Sequence, residues 1–211
     1  MKPRFIKLFL ALFLPFASFL LLAHFLFYYN NKYENNPVYP MGGVMFCSDA
    51  DLSGDSVIFL AHQWNFFPGK QYTPSDFNEK KVTGGTFLTL GSFSNFSLGN
   101  TSEASNGTAT YRLTLSLPDT ARTYSLYLPE IFSAYTLYLN EEKVCSQGNP
   151  DPAHYKDLIG NKEISFTASG TVHITIIVTN YSHIYSGITY PPVFGTVKTE
   201  KFSSGASSHL P

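Results

Sequence analysis

The stretch "ATYRLTLSLPDTARTYSLYLPEIFSAYTLYLNEEKV", residues 109–144, decides the fold because its apolar and polar residues alternate. Within residues 111–117 every second side chain is apolar, and Arg112 is one of the polar residues between them. A period of two is typical of a strand in a sheet that faces solvent on one side. The pair Pro118-Asp119 interrupts the alternation with turn-favouring residues, after which the alternation resumes. The stretch therefore predicts successive strands.

Strand signals continue on both sides of this stretch. The candidate strands are residues 56–61, 64–67, 86–89, 111–117, 124–128, 134–139, 163–167 and 172–179. One short helical turn is expected at residues 74–77, and no long amphipathic helix follows the first thirty residues. Short strands separated by turns, without helices, predict an all-β fold of the β-sandwich or jelly-roll type. Trp64, in an alternating strand, is expected in its core.

Residues 1–30 differ from the rest: three cations precede an apolar run at residues 8–29. A membrane-spanning helix needs roughly 20 apolar residues, whereas a signal peptide has an apolar core of about 7–15 and a small-residue cleavage site. The run is too long for such a core, and no Ala-x-Ala pattern follows it, so we expect an uncleaved transmembrane helix. A cleaved signal segment is the alternative. The leading cations favour a cytoplasmic N-terminus, so either interpretation makes the C-terminal domain extracytoplasmic.

The organisation expected beyond the anchor is a linker at residues 31–43, a sandwich at residues 44–197 and a polar tail at residues 198–211. Aromatic residues are 16% of the chain, whereas charged residues are only 14%. The chain therefore has enough apolar side chains to form a core. The formal net charge is −1, and the part beyond the N-terminal cations is mildly acidic. No basic stripe is visible, so we expect no nucleic-acid partner.

Two cysteines, Cys47 and Cys145, are compatible with an exported domain. Their spacing does not show whether their Cβ atoms approach each other. A disulfide between them and a pair of isolated, half-buried thiols both remain open.

Four blocks carry a resemblance to a known family. In chain order they are "HQWNFFPGKQYTPSDF" (residues 62–77), "ATYRLTLSLP", "SAYTLYLNEEKVCSQGNP" and "VTNYSHIYSGITYPPVFGT". Over residues 51–196 the chain resembles the extracytoplasmic jelly-roll sensor domain of bacterial seven-transmembrane receptors with diverse intracellular signalling modules. The pattern is also similar to the sugar-binding jelly roll of β-galactosidase-type glycosidases. Both resemblances imply a galactose-binding-like fold.

The chain departs from that receptor family in two ways. Family members usually carry Asn-Gly-Lys in a hairpin where this chain has Asn140-Glu141-Glu142-Lys143. The receptors also continue into seven membrane helices. We therefore expect the chain to be a fragment truncated before those helices, a decayed gene product or a free-standing relative.

The best ligand-site candidate is "NYSHIYSGITYPP", residues 180–192, which begins where the strand at 172–179 ends. A sugar suits this composition, because its C–H faces stack on aromatic rings while its hydroxyls bond neutral polar groups. The alternative is that these side chains cover the end of the sandwich and satisfy backbone groups. Arg112 is expected to be a cross-strand partner and not a ligand clamp. The candidate ligand-binding residues are Asn180, Tyr181, His183, Tyr185 and Tyr190, joined by Asn140 and Gln147 if their loops reach the same end.

The segment "DADLSGD", residues 49–55, spaces oxygen-bearing side chains as the first half of a calcium loop does. Asp49, Asp51 and Asp55 are the candidate ligands, with Ser53 between them. The acidic residue expected at the twelfth position is missing, because Leu60 stands there. A structural calcium site and a polar turn remain the two interpretations, and no other cofactor is expected.

Motifs of hydrolytic enzymes are not found: the sequence has no Gly-x-Ser-x-Gly, no His-Glu-x-x-His and no phosphate-binding glycine loop. We therefore expect no enzyme. The favoured hypothesis is a membrane-anchored extracytoplasmic domain that senses a small ligand of the carbohydrate class for a signal-transduction receptor. The alternatives are a non-catalytic carbohydrate-binding module of a glycan-degrading enzyme and a structural domain that binds neighbouring membrane proteins.

Overall fold

The computed structural model describes residues 3–30, 36, 38–53, 57–90 and 105–196, and the chain forms two compact units, residues 1–35 and 36–211. The first unit contains helix α1 (Pro3–Asn30). Its segment Phe9–Tyr29 is long and apolar enough to cross a membrane, with a mean hydropathy of 2.2. The expected N-terminal apolar helix is confirmed, whereas its retention and orientation stay predictions.

The second unit is a sandwich of two β-sheets, which confirms the expected all-β class. The first sheet has the order β4-β3-β5-β10-β7-β8, with β1 parallel to the end of β5, and the second sheet has the order β2-β11-β6-β9. The short helix α2 is Pro74–Asn78, and a 3₁₀ turn is Pro152–His154. The strands are β1 (Val44–Phe46), β2 (Val57–Phe59), β3 (Trp64–Pro68), β4 (Thr86–Leu88), β5 (Gly107–Ser116), β6 (Arg122–Ile131), β7 (Ala134–Leu139), β8 (Glu142–Gln147), β9 (Gly160–Ala168), β10 (Thr171–Asn180) and β11 (Val193–Gly195).

The core lies between the two sheets and is built from the alternating residues. Leu113 in β5, Ile174 in β10 and Leu126 in β6 are fully buried there. Trp64 is also fully buried, and its indole Nε1 donates a hydrogen bond to the carbonyl of Leu60 at 2.6 Å. The period-two pattern therefore selected the core face correctly, and Trp64 is a core residue as predicted.

The outer face of the first sheet is less exposed than the alternation predicts. Ile177 and Thr110 lie on that face, yet both are buried. The segment before α2 covers them: the backbone N–H of Tyr72 donates to Thr110 Oγ1 at 2.8 Å. Gln71 Nε2 donates to the carbonyl of Pro150 at 2.9 Å and ties a second loop over the same area. The predicted solvent-facing side is thus partly covered by chain that is distant in sequence.

The predicted linker at 31–43 is wrong for its second half. Asn36 Nδ2 donates to the carbonyl of Phe59, and the N–H of Phe59 donates to Asn36 Oδ1, both at 2.9 Å. Val38 packs against the core. Residue 36 and residues 38–43 therefore belong to the sandwich, whereas residues 31–35 and the predicted tail at 198–211 lie outside the described residues.

The two cysteines are free thiols, which confirms the isolated-thiol interpretation. Cys47 follows β1, next to β5, whereas Cys145 lies in β8, and β10 and β7 separate those positions in the sheet. Burial raises the pKa of Cys47 to about 12. This thiol is therefore protonated at neutral pH and a poor nucleophile.

Candidate functional site

Asn180, the last residue of β10, holds the start of the loop that runs to β11. Its side chain is fully buried. Nδ2 donates to the carbonyls of Ser105 at 2.7 Å and His183 at 2.6 Å, and Oδ1 accepts from the N–H of His183 at 3.1 Å. The proposed ligand contact at Asn180 is therefore corrected: this residue satisfies backbone groups, as the alternative interpretation expected, and positions the loop.

Three of the predicted loop residues contact one aromatic side chain that the sequence pattern does not indicate. Phe132, between β6 and β7, lies with its ring centroid 6.0 Å from that of His183, 5.8 Å from Tyr185 and 6.5 Å from Tyr190. We call these four residues the aromatic cluster. Tyr185 is 40% exposed, and the other three rings are half-buried. The cluster therefore exposes part of its ring surface to solvent, while its half-buried rings pack against one another and hold it in place.

A polar group lies beside the cluster on the same loop. Ser182 Oγ donates to Asp157 Oδ2 at 2.8 Å and lies 3.0 Å from the phenol oxygen of Tyr155. His183 Nε2 is 3.9 Å from the same carboxylate oxygen. The exposed ring of Tyr181 meets the Tyr155 ring edge-on, with centroids 5.3 Å apart. Rings, hydroxyls, an imidazole and a carboxylate thus share one surface.

Two buried hydroxyls adjoin the cluster in the chain. Ser133 Oγ follows Phe132, Thr189 Oγ1 precedes Tyr190, and neither has a hydrogen-bond partner among the described residues. A buried hydroxyl without a partner costs about 1–3 kcal/mol. Such groups are uncommon in folded proteins, and they often occur where function constrains the structure.

The other two predicted ligand residues were expected on this surface, but neither of them belongs to it. Asn140 lies at the opposite end of β10, where its Oδ1 accepts from the N–H of His173 at 2.8 Å. His173 lies seven positions before Asn180 in β10, which is roughly 23 Å along a strand. Gln147 is opposite Tyr135, near the correct end, but its Oε1 accepts from the Tyr135 phenol at 2.8 Å. Asn140 is therefore not part of the loop site, and Gln147 supports the strand pair below it.

The predicted metal ligands are engaged with other groups. Arg122 pairs with Asp49, while Asp51 Oδ2 accepts from the N–H of Ser48 at 2.8 Å and from its hydroxyl at 2.5 Å. These two hydrogen bonds lower the pKa of Asp51. Within the described residues, no three of His, Cys, Asp or Glu are grouped to hold a metal ion. Asp55 lies outside those residues, and the polar-turn interpretation fits Asp49 and Asp51.

Part of several bacterial glycosidases has a similar fold. Faecalibacterium prausnitzii β-glucuronidase superposes with a TM-score of 0.50 at 14% identity, over 65% of this chain and 31% of that chain. A β-glucuronidase from an uncultured Clostridium gives 0.48 at 17% identity, over 68% and 29%. The GH2 β-galacturonidase from Eisenbergiella tayi, solved with galacturonate, gives 0.47 at 12% identity, over 68% and 25%. The chain thus spans about a third or less of each of these proteins.

At these identities the likeness shows a shared fold alone. No protein-family model matches the sequence, and a search of curated proteins finds no significant match. The sandwich fold is confirmed, whereas membership of the receptor sensor family stays a prediction.

Proposed function

We propose that the chain is a membrane-anchored, extracytoplasmic domain that binds a carbohydrate without converting it and serves as the sensing part of a signal-transduction receptor. The observation that carries the proposal is the aromatic cluster around Phe132, with hydrogen-bonding groups beside it. Saccharides combine apolar C–H faces with hydroxyls, so such a surface suits both parts of the ligand.

The hydrogen bonds of Ser182, Asp157 and His183 favour ligand binding over catalysis. A serine hydrolase places its histidine between the serine and the acid, so that the histidine takes the serine proton. Here Ser182 donates directly to Asp157, and His183 Nε2 stands 3.9 Å from that carboxylate. The hydroxyl is therefore held by an acid and is not activated by a base, an arrangement suited to orienting a ligand.

The sensing role rests on the loop, the helix and the receptor resemblance. The loop at residues 181–192 passes from β10 in one sheet to β11 in the other. A ligand held on this loop contacts the connection between the two layers. Helix α1 supplies a segment long enough to tether the domain to a membrane. In this proposal the ligand-bound loop presents a changed surface to partner membrane segments.

Two alternatives each have one supporting observation. The fold shared with β-glucuronidase favours a non-catalytic module of a glycan-degrading enzyme. Ile184, at 73% exposure, and Leu158, at 56%, favour a protein-binding surface near the cluster, as an assembly domain needs. The binding experiment below separates the assembly alternative from the two carbohydrate hypotheses.

Alanine at Tyr181 or Tyr185 is expected to weaken saccharide binding by about 10-fold, because each change removes a ring worth about 1.4 kcal/mol of contact. The full chain is embedded in phosphatidylcholine nanodiscs, without sugar-based detergents, and applied to a glycan array. The affinity of the strongest ligand is then measured by calorimetry for each variant. Tyr39→Ala is the matched control, because Tyr39 is exposed but packs on His62, with centroids 5.4 Å apart.

A silent array, or equal affinities for the three variants and the unchanged protein, contradicts the proposal. Silence on the array together with covalent crosslinking of a membrane protein through residue 184 supports the assembly alternative. An unchanged melting temperature of Tyr181→Ala and Tyr185→Ala shows that any loss of affinity comes from the missing ring.

A further inference from the structure

Arg112 in β5 is a half-buried cation that has no acidic partner among the described residues. Its guanidinium carbon lies 4.1 Å from the centroid of the Phe77 ring, and Nη1 donates to Thr175 Oγ1 at 3.3 Å. The contact with Thr175, its register partner in β10, is the expected cross-strand contact. The proposal below departs from the other half of that expectation, that Arg112 is not a ligand clamp. No carboxylate of the described residues lies within 4.0 Å of the guanidinium. A guanidinium has five N–H donors, and one hydrogen bond from them to a described residue is the bond to Thr175.

The remaining donors adjoin a cavity of about 300 Å³ on the outer face of the first sheet. This volume is at the lower end of the range for small-molecule sites. The cavity is open to solvent and is flanked by α2 on one side and by the turn between β7 and β8 on the other. We call it the Arg112 cavity, and its lining residues are Pro74, Asn78, Arg112, Asn140, Glu141 and His173.

Hydrogen bonds made by the lining residues fix the walls of the cavity. Asn78 Nδ2 donates to Glu141 Oε1 at 2.7 Å and links α2 to the turn. The N–H of His173 donates to Asn140 Oδ1 at 2.8 Å, and His173 Nδ1 lies 3.0 Å from Thr114 Oγ1. A cavity whose walls are tied together in this way is preorganised, which lowers the entropic cost of binding.

The groups that remain without a partner in this part of the described chain are mainly donors. The donors are the remaining N–H groups of Arg112 and the amide nitrogen of Asn140, while Nε2 of His173 donates or accepts according to its tautomer. Burial and the nearby Arg112 lower the pKa of His173, which favours a neutral imidazole at pH 7. Glu141 is the acceptor in the lining and stands beside the donors.

We propose that the Arg112 cavity binds a small hydroxycarboxylic acid. The planar fork of Arg112 takes the carboxylate through two parallel N–H···O bonds, the geometry in which guanidinium and carboxylate match best. The Phe77 ring lies against the guanidinium and supports its position. Asn140 and Glu141 then bond the ligand's hydroxyl groups. This site lies at the opposite end of β10 from the aromatic cluster and does not depend on the saccharide proposal.

The test is calorimetry on the full chain in nanodiscs with D-gluconate, L-tartrate, inorganic phosphate and D-sorbitol. Sorbitol is the matched polyol without a carboxylate. We expect binding of one or both hydroxy acids and no binding of sorbitol. Arg112→Gln is expected to weaken that binding by at least 10-fold, whereas Arg122→Gln, on the other sheet, leaves it unchanged. Failure of both acids to bind, or equal binding of sorbitol or phosphate, overturns the proposal.

A second pair of variants protects the test against misfolding of Arg112→Gln. Glu141→Gln keeps the acceptor for Asn78 but removes a negative charge from the cavity lining. It is therefore expected to raise hydroxy-acid affinity by about 2- to 5-fold. Glu142→Gln, the neighbouring exposed acid, is the control and has a smaller effect. Lower affinity in Glu141→Gln contradicts carboxylate binding. Saccharide binding at the aromatic cluster stays unchanged in all four variants.

Discussion

Replacing Trp64 with alanine is expected to lower the free energy of unfolding of the sandwich by about 3–5 kcal/mol. The indole is fully buried between the sheets, so its loss leaves a cavity in the middle of the core. The carbonyl of Leu60 also loses the hydrogen bond from Nε1. Because this is the sole tryptophan of the chain, unfolding is followed by circular dichroism and not by indole fluorescence.

Two control substitutions separate these contributions. Trp64→Phe keeps most of the ring volume but removes the N–H donor, so we expect a loss of about 1–2 kcal/mol. Phe87→Ala removes an aromatic residue that is 49% exposed in the adjacent strand β4, and its effect is expected to stay within about 0.5 kcal/mol. A destabilisation by Trp64→Ala no larger than that of Phe87→Ala contradicts the described core.

Alanine at Asn180 is expected to destabilise the sandwich by about 2–4 kcal/mol and to release the loop at residues 181–190. The substitution leaves the half-buried carbonyls of Ser105 and His183 without their donor and the N–H of His183 without its acceptor. Each buried group left unpaired costs about 1–3 kcal/mol. The melting temperature reports the loss of stability, and hydrogen exchange reports the release of the loop.

Asn149→Ala is the matched control, because Asn149 is exposed and its Oδ1 accepts from the N–H of Asp151 at 3.1 Å. We expect it to change stability by less than about 1 kcal/mol. Equal effects of Asn180→Ala and Asn149→Ala would show that Asn180 does not hold the loop. Hydrogen exchange in Asn180→Ala that becomes faster only outside residues 181–190 would also show that Asn180 does not hold the loop.

The parts of the fold that the sequence predicts are those set by local pattern. The alternation in β5 and β10 identifies both the strand and the side of it that faces the core. A strand with one buried face has apolar side chains at every second position, so the sequence shows this pattern directly. Three strands were not predicted, for two reasons. β1 and β11 have three residues each, too few for a period, and Val193 and Phe194 of β11 are both buried. β8 begins at Glu142, within the residues that were interpreted as a hairpin turn.

The predicted segment, residues 180–192, contains three of the four residues of the aromatic cluster, and its role as a ligand site stays a prediction. Tyr185 and His183 lie beside one another because they share a loop, and nearness in sequence carries that information. Asn140 was assigned to the wrong end, because strand register places it opposite His173 and sequence alone does not give the register. Phe132 and Asp157 come from other connections, so only tertiary structure reveals their contacts with the loop.

Hydrogen exchange of the full chain in nanodiscs, with and without the strongest array saccharide, tests the central claim most directly. The claim is that the connection between β10 and β11 carries the ligand on its aromatic rings. We predict slower exchange at residues 181–190 and at residues 155–158, with no change at residues 140 and 173. Unchanged exchange at 181–190, or protection confined to another part of the sandwich, would contradict it.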